Sequence, residues 1–437
     1  MRILVEPSAH HLLNLGDVAM LAVTTERLQA LWPEAEVGVL TNAPAKLAEY
    51  CPGTVPLPAY GRQLWFDLPY AGHVVHRALP GSVAGRLRSW EEDLRRARPQ
   101  TAAGIIRARR RLKRLDSGDL DLFLDWVFGA DAVVVVGAGL LTDAFARSAI
   151  TVLELLESAF VRGAPTAMFG QGIGPLADEE LVTWCRRVLP RLDLIALRER
   201  LAGPPILRSL GVDESRVVTT GDDAVELARR VPRPSEDSSG LGVSLRRARY
   251  SDVKDETLRR VGHVLRSAAE TRGAILVPVP ISNAPKERDA QVIANALGLA
   301  EAEAREISSL DAVIAQVQRC RVVVTGSYHA GVFALTQGIP VVGLAGSGYY
   351  VDKFLGLSDQ FGGLSPVVRL DHPEYERHLE DAVAELWEHA DELRPRLRSA
   401  AEVQIQRGWV AYRRFRDLVE SRLSTAHAAL SDSPTRT

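Results

Sequence analysis

The residues best suited to chemistry stand at the ends of short apolar runs. VVVTGSYHAGVF (322–333) places Ser327, Tyr328 and His329 where a buried strand would turn into a helix. An imidazole at such a turn can serve as acid, base or donor, which makes His329 the candidate catalyst. Arg246 and Arg247 close GVSLR (242–246) and its continuation, and Arg198 closes LIALR (194–198). A guanidinium at a strand end can clamp a carboxylate or phosphate with paired N–H groups. For Arg198 a salt bridge to a neighbouring lobe is the equal alternative. GLAGSGYYVDKF (343–354) offers a small anion nest at Ser347 and a point charge at Lys353. Two carboxylates complete the set, Asp17 in Asn14-Leu15-Gly16-Asp17 and Asp222 in Gly221-Asp222-Asp223. Each reads either as a helix cap or as a catalytic group, and Asn14 with Asp17 could hold an acceptor hydroxyl.

Glycine loops follow two further apolar runs. Gly137 and Gly139 in VVGAGLLTD (135–143) would let backbone N–H groups approach a ligand at a helix start. Gln171 and Gly172 lie in FGQGIGPL (169–176), where so much glycine suggests close backbone contact with a ligand. The dinucleotide fingerprint G-x-G-x-x-G is incomplete, because Thr142 occupies the third glycine's place. No nicotinamide or flavin cofactor is therefore expected. Asp119-Leu120-Asp121 resembles a metal-binding pair but has no matching cluster, and Cys51, Cys185 and Cys320 lack C-x-x-C spacing. No metal is expected either.

The elements that must hold these groups follow an alternating rhythm. Apolar runs at 3–6, 36–40, 132–137, 165–170, 194–198 and 217–221 read as buried strands, with helices such as Asp17–Trp32 and Asp143–Arg162 between them. Near-continuous apolar strands alternating with helices predict a parallel sheet covered on both faces. RRVPRPSEDSSG (229–240) breaks the rhythm and reads as a linker. The alternation then restarts with strands at 242–246, 274–279, 322–326 and 340–345, and with helices that include Pro285–Leu297 and His329–Gln337. The expected fold class is α/β: two Rossmann-like lobes facing each other across a cleft, followed by a C-terminal helical extension. The lobes are expected at 1–230 and 241–372, the second carrying the donor site. A pair of polar helices from about Pro373 to Ser424 and a disordered tail would complete 373–437.

Over 437 residues, 53 Lys and Arg nearly balance 55 Asp and Glu, which argues against nucleic acid as the main ligand. The first 17 residues lack the apolar core of a signal peptide. The longest aliphatic run, Ala132–Leu141, is about half a bilayer span. A cytoplasmic protein is expected. Within a helical insertion at about 85–125, Gly85–Arg114 carries eleven Lys or Arg against three acidic residues. It reads as a solvated surface or as a contact for anionic lipid headgroups at the inner face of a membrane.

Taken in order, these motifs resemble the polysaccharide pyruvyl transferase family. The matching pieces are N-x-G-D at Asn14–Asp17, the glycine turn with Asp at Gly137–Asp143, G-Q-G-I-G-P at Gly170–Pro175 and R-x-R at Arg198–Arg200. They continue with T-G-D-D-A at Thr220–Ala224, S-L-R at Ser244–Arg246, Y-H-A at Tyr328–Ala330 and S-x-Y-Y-x-x-K at Ser347–Lys353. The resemblance implies a fold similar to that of GT-B glycosyltransferases and no metal or organic cofactor. It also implies transfer of pyruvate from phosphoenolpyruvate to sugar hydroxyls of a cell-surface polysaccharide or its lipid-linked precursor, as a cyclic ketal. His329 would then be the acid or base, and Arg246 would hold the phosphoenolpyruvate anion. Asn14, Gly137, Gly139, Gln171, Gly172 and Tyr328 would line the acceptor side of the cleft. One departure stands out: Ser327 occupies a position where many members carry Arg, so Arg198, Arg247 or Lys353 must supply the charge if the donor is phosphoenolpyruvate. The alternatives are a glycosyltransferase proper that uses a nucleotide sugar, and a non-catalytic glycan-binding relative.

Overall fold

The computed structural model describes residues 1–7, 9–67, 70, 81–232, 239–247, 253–300 and 303–431. Seven strands form one sheet: β1 (Arg2–Glu6), β2 (Glu36–Thr41), β3 (Val55–Pro58), β4 (Ala132–Val135), β5 (Thr166–Gln171), β6 (Leu194–Leu197) and β7 (Val217–Thr219). Their order is β3-β2-β1-β4-β5-β6-β7, with every pairing parallel. Five more form a second parallel sheet: β8 (Gly240–Ser244), β9 (Leu276–Pro278), β10 (Cys320–Thr325), β11 (Val341–Ala345) and β12 (Val367–Arg369), in the order β12-β11-β10-β8-β9. The central strands are apolar on both faces because helices cover both, as a parallel sheet requires.

The topology selects where a ligand should bind. In each sheet the chain reverses its direction of travel once, between β1 and β4 in the first and between β8 and β10 in the second. Ligands of open α/β sheets lie beyond the carboxyl ends of strands at such switch points. Asn14–Asp17 follow β1, Gly137 and Gly139 follow β4, Arg246 follows β8, and His329 follows β10. One apolar core runs through both sheets, uniting Ile3, Val5 and Phe169 with Val323, Phe333 and Tyr350.

Three sequence expectations need correction. The C-terminal helix pair is a single helix, Tyr375–Ser431, which passes through Pro395 without reversing. Its apolar stripe explains this. Leu379, Val383 and Leu386 pack into the second lobe, while Tyr412, Phe415 and Val419 reach the shared core, where Tyr412 stacks on Phe169 at 3.7 Å. A turn at the proline would expose one half of the stripe. The helix expected at Pro285–Leu297 starts only at Asp289, after Arg288 in the left-handed region (φ 40°), so Pro285 lies in a turn on the cavity wall. Edge strands β3 and β12 were not anticipated. β3 is VPLP, and proline is tolerated in a sheet only where no neighbour needs its missing N–H. Residues 233–238 of the expected linker and 432–437 of the expected tail lie outside the described residues. The basic segment does form helices, Gly81–Ala97 and Pro99–Leu112. No described helix is long and apolar enough to cross a membrane.

Candidate functional site

The strand-end turns converge on one cavity of about 670 Å³ between the sheets. The His329 turn is built locally. Thr325 Oγ1 accepts a hydrogen bond from Ser327 N and donates one to Ser327 O, both at 2.8 Å, so the chain leaves β10 in a fixed direction. His329 is then the second residue of the helix Tyr328–Thr336 and is 6% exposed. Across the cleft, Asn14 caps the helix Leu15–Leu31 by accepting from Gly16 N (3.0 Å) and Asp17 N (3.4 Å). The His329 ring lies directly on Gly16: a Cβ at Gly16 would sit 2.0 Å from His329 Cγ and 2.1 Å from Nδ1. Backbone bonds beside this contact, Leu15 N to Ile281 O (3.0 Å) and Asn283 N to Leu13 O (2.9 Å), tie the two lobes together.

Behind His329 sits a buried polar trio. Asp222 Oδ2 lies 3.7 Å from His329 Nε2 and 3.7 Å from Arg198 Nη1. Asp222 Oδ1 accepts from Ala224 N at 2.9 Å, so this carboxylate is both a local cap and a neighbour of the histidine. Asp222 Oδ2, His329 Nε2 and Arg198 Nη2 are all buried without a hydrogen-bond partner. Each such group costs about 1–3 kcal/mol if it stays unpaired. Burial pushes the Asp222 carboxyl up, but His329, Arg198 and the Ala224 amide outweigh that and hold it below its ordinary value, hence ionised. Arg198 stacks over the Tyr328 ring at 4.0 Å. It can do so because Gly172 has no side chain, since a Cβ there would lie 2.7 Å from Nη2.

Two more cations face the cavity from the second lobe. Arg246 is gripped by Asp289 (Nε–Oδ1 3.2 Å, Nη2–Oδ2 2.8 Å), and Asp289 also accepts from Ile281 N and Ser282 N. Lys353 Nζ lies 4.2 Å from the Tyr349 ring centre and 5.4 Å from that of Tyr350, and its end rests on Gly139, where a Cβ would sit 2.9 Å from Nζ. Among the described residues it forms no ion pair. Burial, reinforced by Arg198 and Arg246, pushes its pKa well below the usual lysine value. Asp17 shifts the opposite way. Burial raises its carboxyl above the usual range although His329, Arg246 and Lys353 pull it down. Tyr349 Oη donates to Gly139 O across the cleft at 3.1 Å.

The cavity thus gathers Asn14, Asp17, Gly139, Arg198, Arg246, Tyr328, His329 and Lys353, with Asp222 directly behind His329. The other expected site residues lie elsewhere. Arg247 is exposed and paired with Asp255 at 2.8 Å. Ser327 and Ser347 stand at helix starts off the cavity wall, Ser327 fully buried. Gln171 spans the ends of β4 and β5, donating to Val136 O and Phe169 O. Gly137 packs against the Gly170 carbonyl, and Gly172 against Arg198. Arg200 pairs with Asp359 of the other lobe at 2.6 Å. The residues missed in the sequence are Asp289, which orients Arg246, and a histidine–carboxylate pair after β1, His10 with Glu6. Only the four-residue spacing of Glu6 and His10 hinted at the second.

Among solved structures, a Listeria monocytogenes protein assigned as a UDP-N-acetylglucosamine 2-epimerase superposes with a TM-score of 0.58 at 13% identity, over 97% of each chain. The UDP-GlcNAc 2-epimerase of Neisseria meningitidis, solved with UDP-GlcNAc bound, gives 0.53 at 11% identity over 97% of this chain and 100% of that one. A transferase of Siraitia grosvenorii in complex with UDP gives 0.52 at 11% identity over 96% and 99%. These likenesses establish the GT-B fold. No curated protein sequence matches the chain. The family model for polysaccharide pyruvyl transferases matches residues 14–348. That span includes the asparagine cap, both strand-end arginines, the aspartate–histidine pair and the helix start before Lys353, and the chain therefore belongs to the polysaccharide pyruvyl transferase family.

Proposed function

We propose that the protein transfers a pyruvyl group from phosphoenolpyruvate to two hydroxyls of one sugar, forming a ketal. The observation that carries the reading is an incompletely compensated cationic wall (Arg198, Arg246, Lys353) beside the His329–Asp222 pair. A small anion with a phosphate and a carboxylate would engage these cations and offer an acceptor to the unpaired Arg198 Nη2. The donor's C3 takes a proton, with His329 as the acid and Asp222 orienting its ring. Positive charge grows at C2, and a sugar hydroxyl bonds there. A second hydroxyl then bonds to C2 as the C2–O bond to phosphate breaks. The two hydroxyls give up two protons in all. One balances the proton placed on C3 and the other leaves on phosphate. Asp17, kept basic by its raised pKa, takes a proton from the first hydroxyl. Arg246 and Lys353 stabilise the departing phosphate.

The acceptor is read as a lipid-linked glycan. Arg111, Leu112, Lys113, Arg114 and Leu115 are all exposed, Leu112 by 87%, a run suited to an anionic membrane surface. Other arginines of the same segment are already engaged, Arg96 by Glu157 and Arg107 by Asp121.

The test is release of inorganic phosphate from phosphoenolpyruvate in the presence of glycan acceptors. His329→Ala is expected to reduce turnover by about 10² or more. Unchanged turnover in that variant removes His329 from the chemistry. UDP release from a nucleotide sugar, with phosphoenolpyruvate inert, overturns the donor.

A further inference from the structure

The reaction just described frees two hydroxyl protons, and the residues assigned so far provide for one. A second base on the cavity wall, away from the cations, would take the other. The loop after β1 provides it. Glu6, the last residue of β1, is 1% exposed, and its Oε1 lies 2.9 Å from His10 Nε2. Its other oxygen faces Arg62 Nε at 3.4 Å. The backbone of His10 is anchored too, its carbonyl accepting from Asn42 N (2.8 Å) and Thr41 Oγ1 (3.2 Å). His10 is one of the residues that line the cavity on the first-lobe side.

This arrangement defines a tautomer. Glu6 is ionised: burial opposes its charge, but Arg62 and His10 outweigh burial and hold the carboxyl below its ordinary value. An ionised carboxylate only accepts, so the 2.9 Å contact requires the proton on Nε2. Whenever the ring is neutral, its lone pair therefore lies on Nδ1. A histidine oriented by a buried carboxylate is the arrangement of a general base.

We infer that His10 is the acceptor-side base, with Glu6 as its positioning residue and a sugar hydroxyl as its substrate group. In this step the hydroxyl proton passes to His10 Nδ1 as the oxygen–C2 bond forms. The imidazolium later returns the proton to the departing phosphate. The assignment rests on the transferase reading above, though it holds for any donor whose electrophilic carbon is attacked by a sugar hydroxyl.

The experiment uses the full-length chain. His10→Gln is expected to lower kcat for phosphate release with acceptor present by about 10²-fold or more, with the affinity for phosphoenolpyruvate unchanged. Imidazole added to His10→Gly should restore part of the lost rate, which a merely structural role for the side chain would not permit. Glu6→Gln should give a smaller loss of the same kind. Retention of activity within about threefold in His10→Gln, or a loss that lies wholly in donor affinity, overturns the assignment. If the wild-type chain instead turns over a nucleotide sugar, the donor reading fails and the same variants are read by UDP release. If no donor is consumed, ¹⁵N shifts of the His10 ring still decide. A proton on Nε2 supports the assignment, and a proton on Nδ1 refutes it.

Discussion

The contact between Gly16 and His329 yields the sharpest prediction. Gly16 has no positive φ and sits in the first helical turn, so Ala is conformationally acceptable there. The obstacle is space. The new methyl would lie 2.0 Å from His329 Cγ, 2.1 Å from Nδ1 and 2.4 Å from Cβ, where ordinary contact starts at 3.4 Å. The ring would have to retreat by about 1.4 Å, or the helix Leu15–Leu31 would have to shift by as much. Overpacking of this kind costs about 1–3 kcal/mol, which a chain with large cores can absorb. Catalysis tolerates it far less, because a displacement of about 1 Å in a reacting group can cost about 10²-fold. Gly16→Ala is therefore expected to fold, with a melting temperature within a few degrees of the parent, and to lose about 10²-fold in kcat for phosphate release. Circular dichroism and steady-state kinetics on one preparation are sufficient. A folded variant with kcat within threefold of the parent would show that the position of His329 on Gly16 does not matter for the chemistry.

Other perturbations have equally definite outcomes. The depressed pKa of Lys353 means that the unfolded chain binds more protons than the folded one between the folded-state pKa and 10.5, so this group makes stability rise with pH across that window. Lys353→Met should flatten that rise, stabilise the free protein near neutral pH and abolish binding of phosphoenolpyruvate, as followed by thermal shift across pH. In the parent, the bound anionic donor should raise the Lys353 pKa, measurable as a pH-dependent proton uptake by calorimetry in buffers of differing ionisation enthalpy. Tyr412→Phe removes the hydroxyl that bonds Thr24 Oγ1 and Asp223 Oδ2, both at 2.9 Å. The loss should be about 1–3 kcal/mol in denaturant unfolding, and a change below about 0.5 kcal/mol would mean the helix is held by packing alone. Replacing Arg111, Lys113 and Arg114 together by Glu should abolish sedimentation with phosphatidylglycerol vesicles while leaving turnover of a soluble acceptor unchanged; parent protein that does not sediment would remove the membrane reading.

Much of this molecule was legible along the chain. Period-free valine and leucine runs bounded by glycine located ten of the strands, and their alternation with helices implied parallel sheets covered on both faces. The order of the motifs was enough to bring the family into view. The same local signals failed where longer-range packing decides. VPLP and VVR are too short or too rich in proline to announce themselves, and become strands only because β2 and β11 present free edges. The C-terminal region remains one helix because both lobes receive its apolar stripe, which a local reading of Pro395 could not foresee.

The candidate site divides in the same way. Residue type and strand-end position identified His329, Arg246, Arg198 and Asp17, because the switch points of a parallel sheet depend on the order of elements. Their partners depend on distance in space. Nothing near Arg247 in the chain distinguishes it from Arg246, yet Asp289 turns one into the cavity and Asp255 holds the other at the surface. Nothing near Gly16 in the chain announces that a histidine more than three hundred residues away rests on it. The sequence alone determined which strands form and which turns carry reactive groups, since those follow from local pattern. Only the tertiary structure decided which groups meet, because burial, charge compensation and hydrogen bonding act between atoms a few ångströms apart, wherever they lie along the chain.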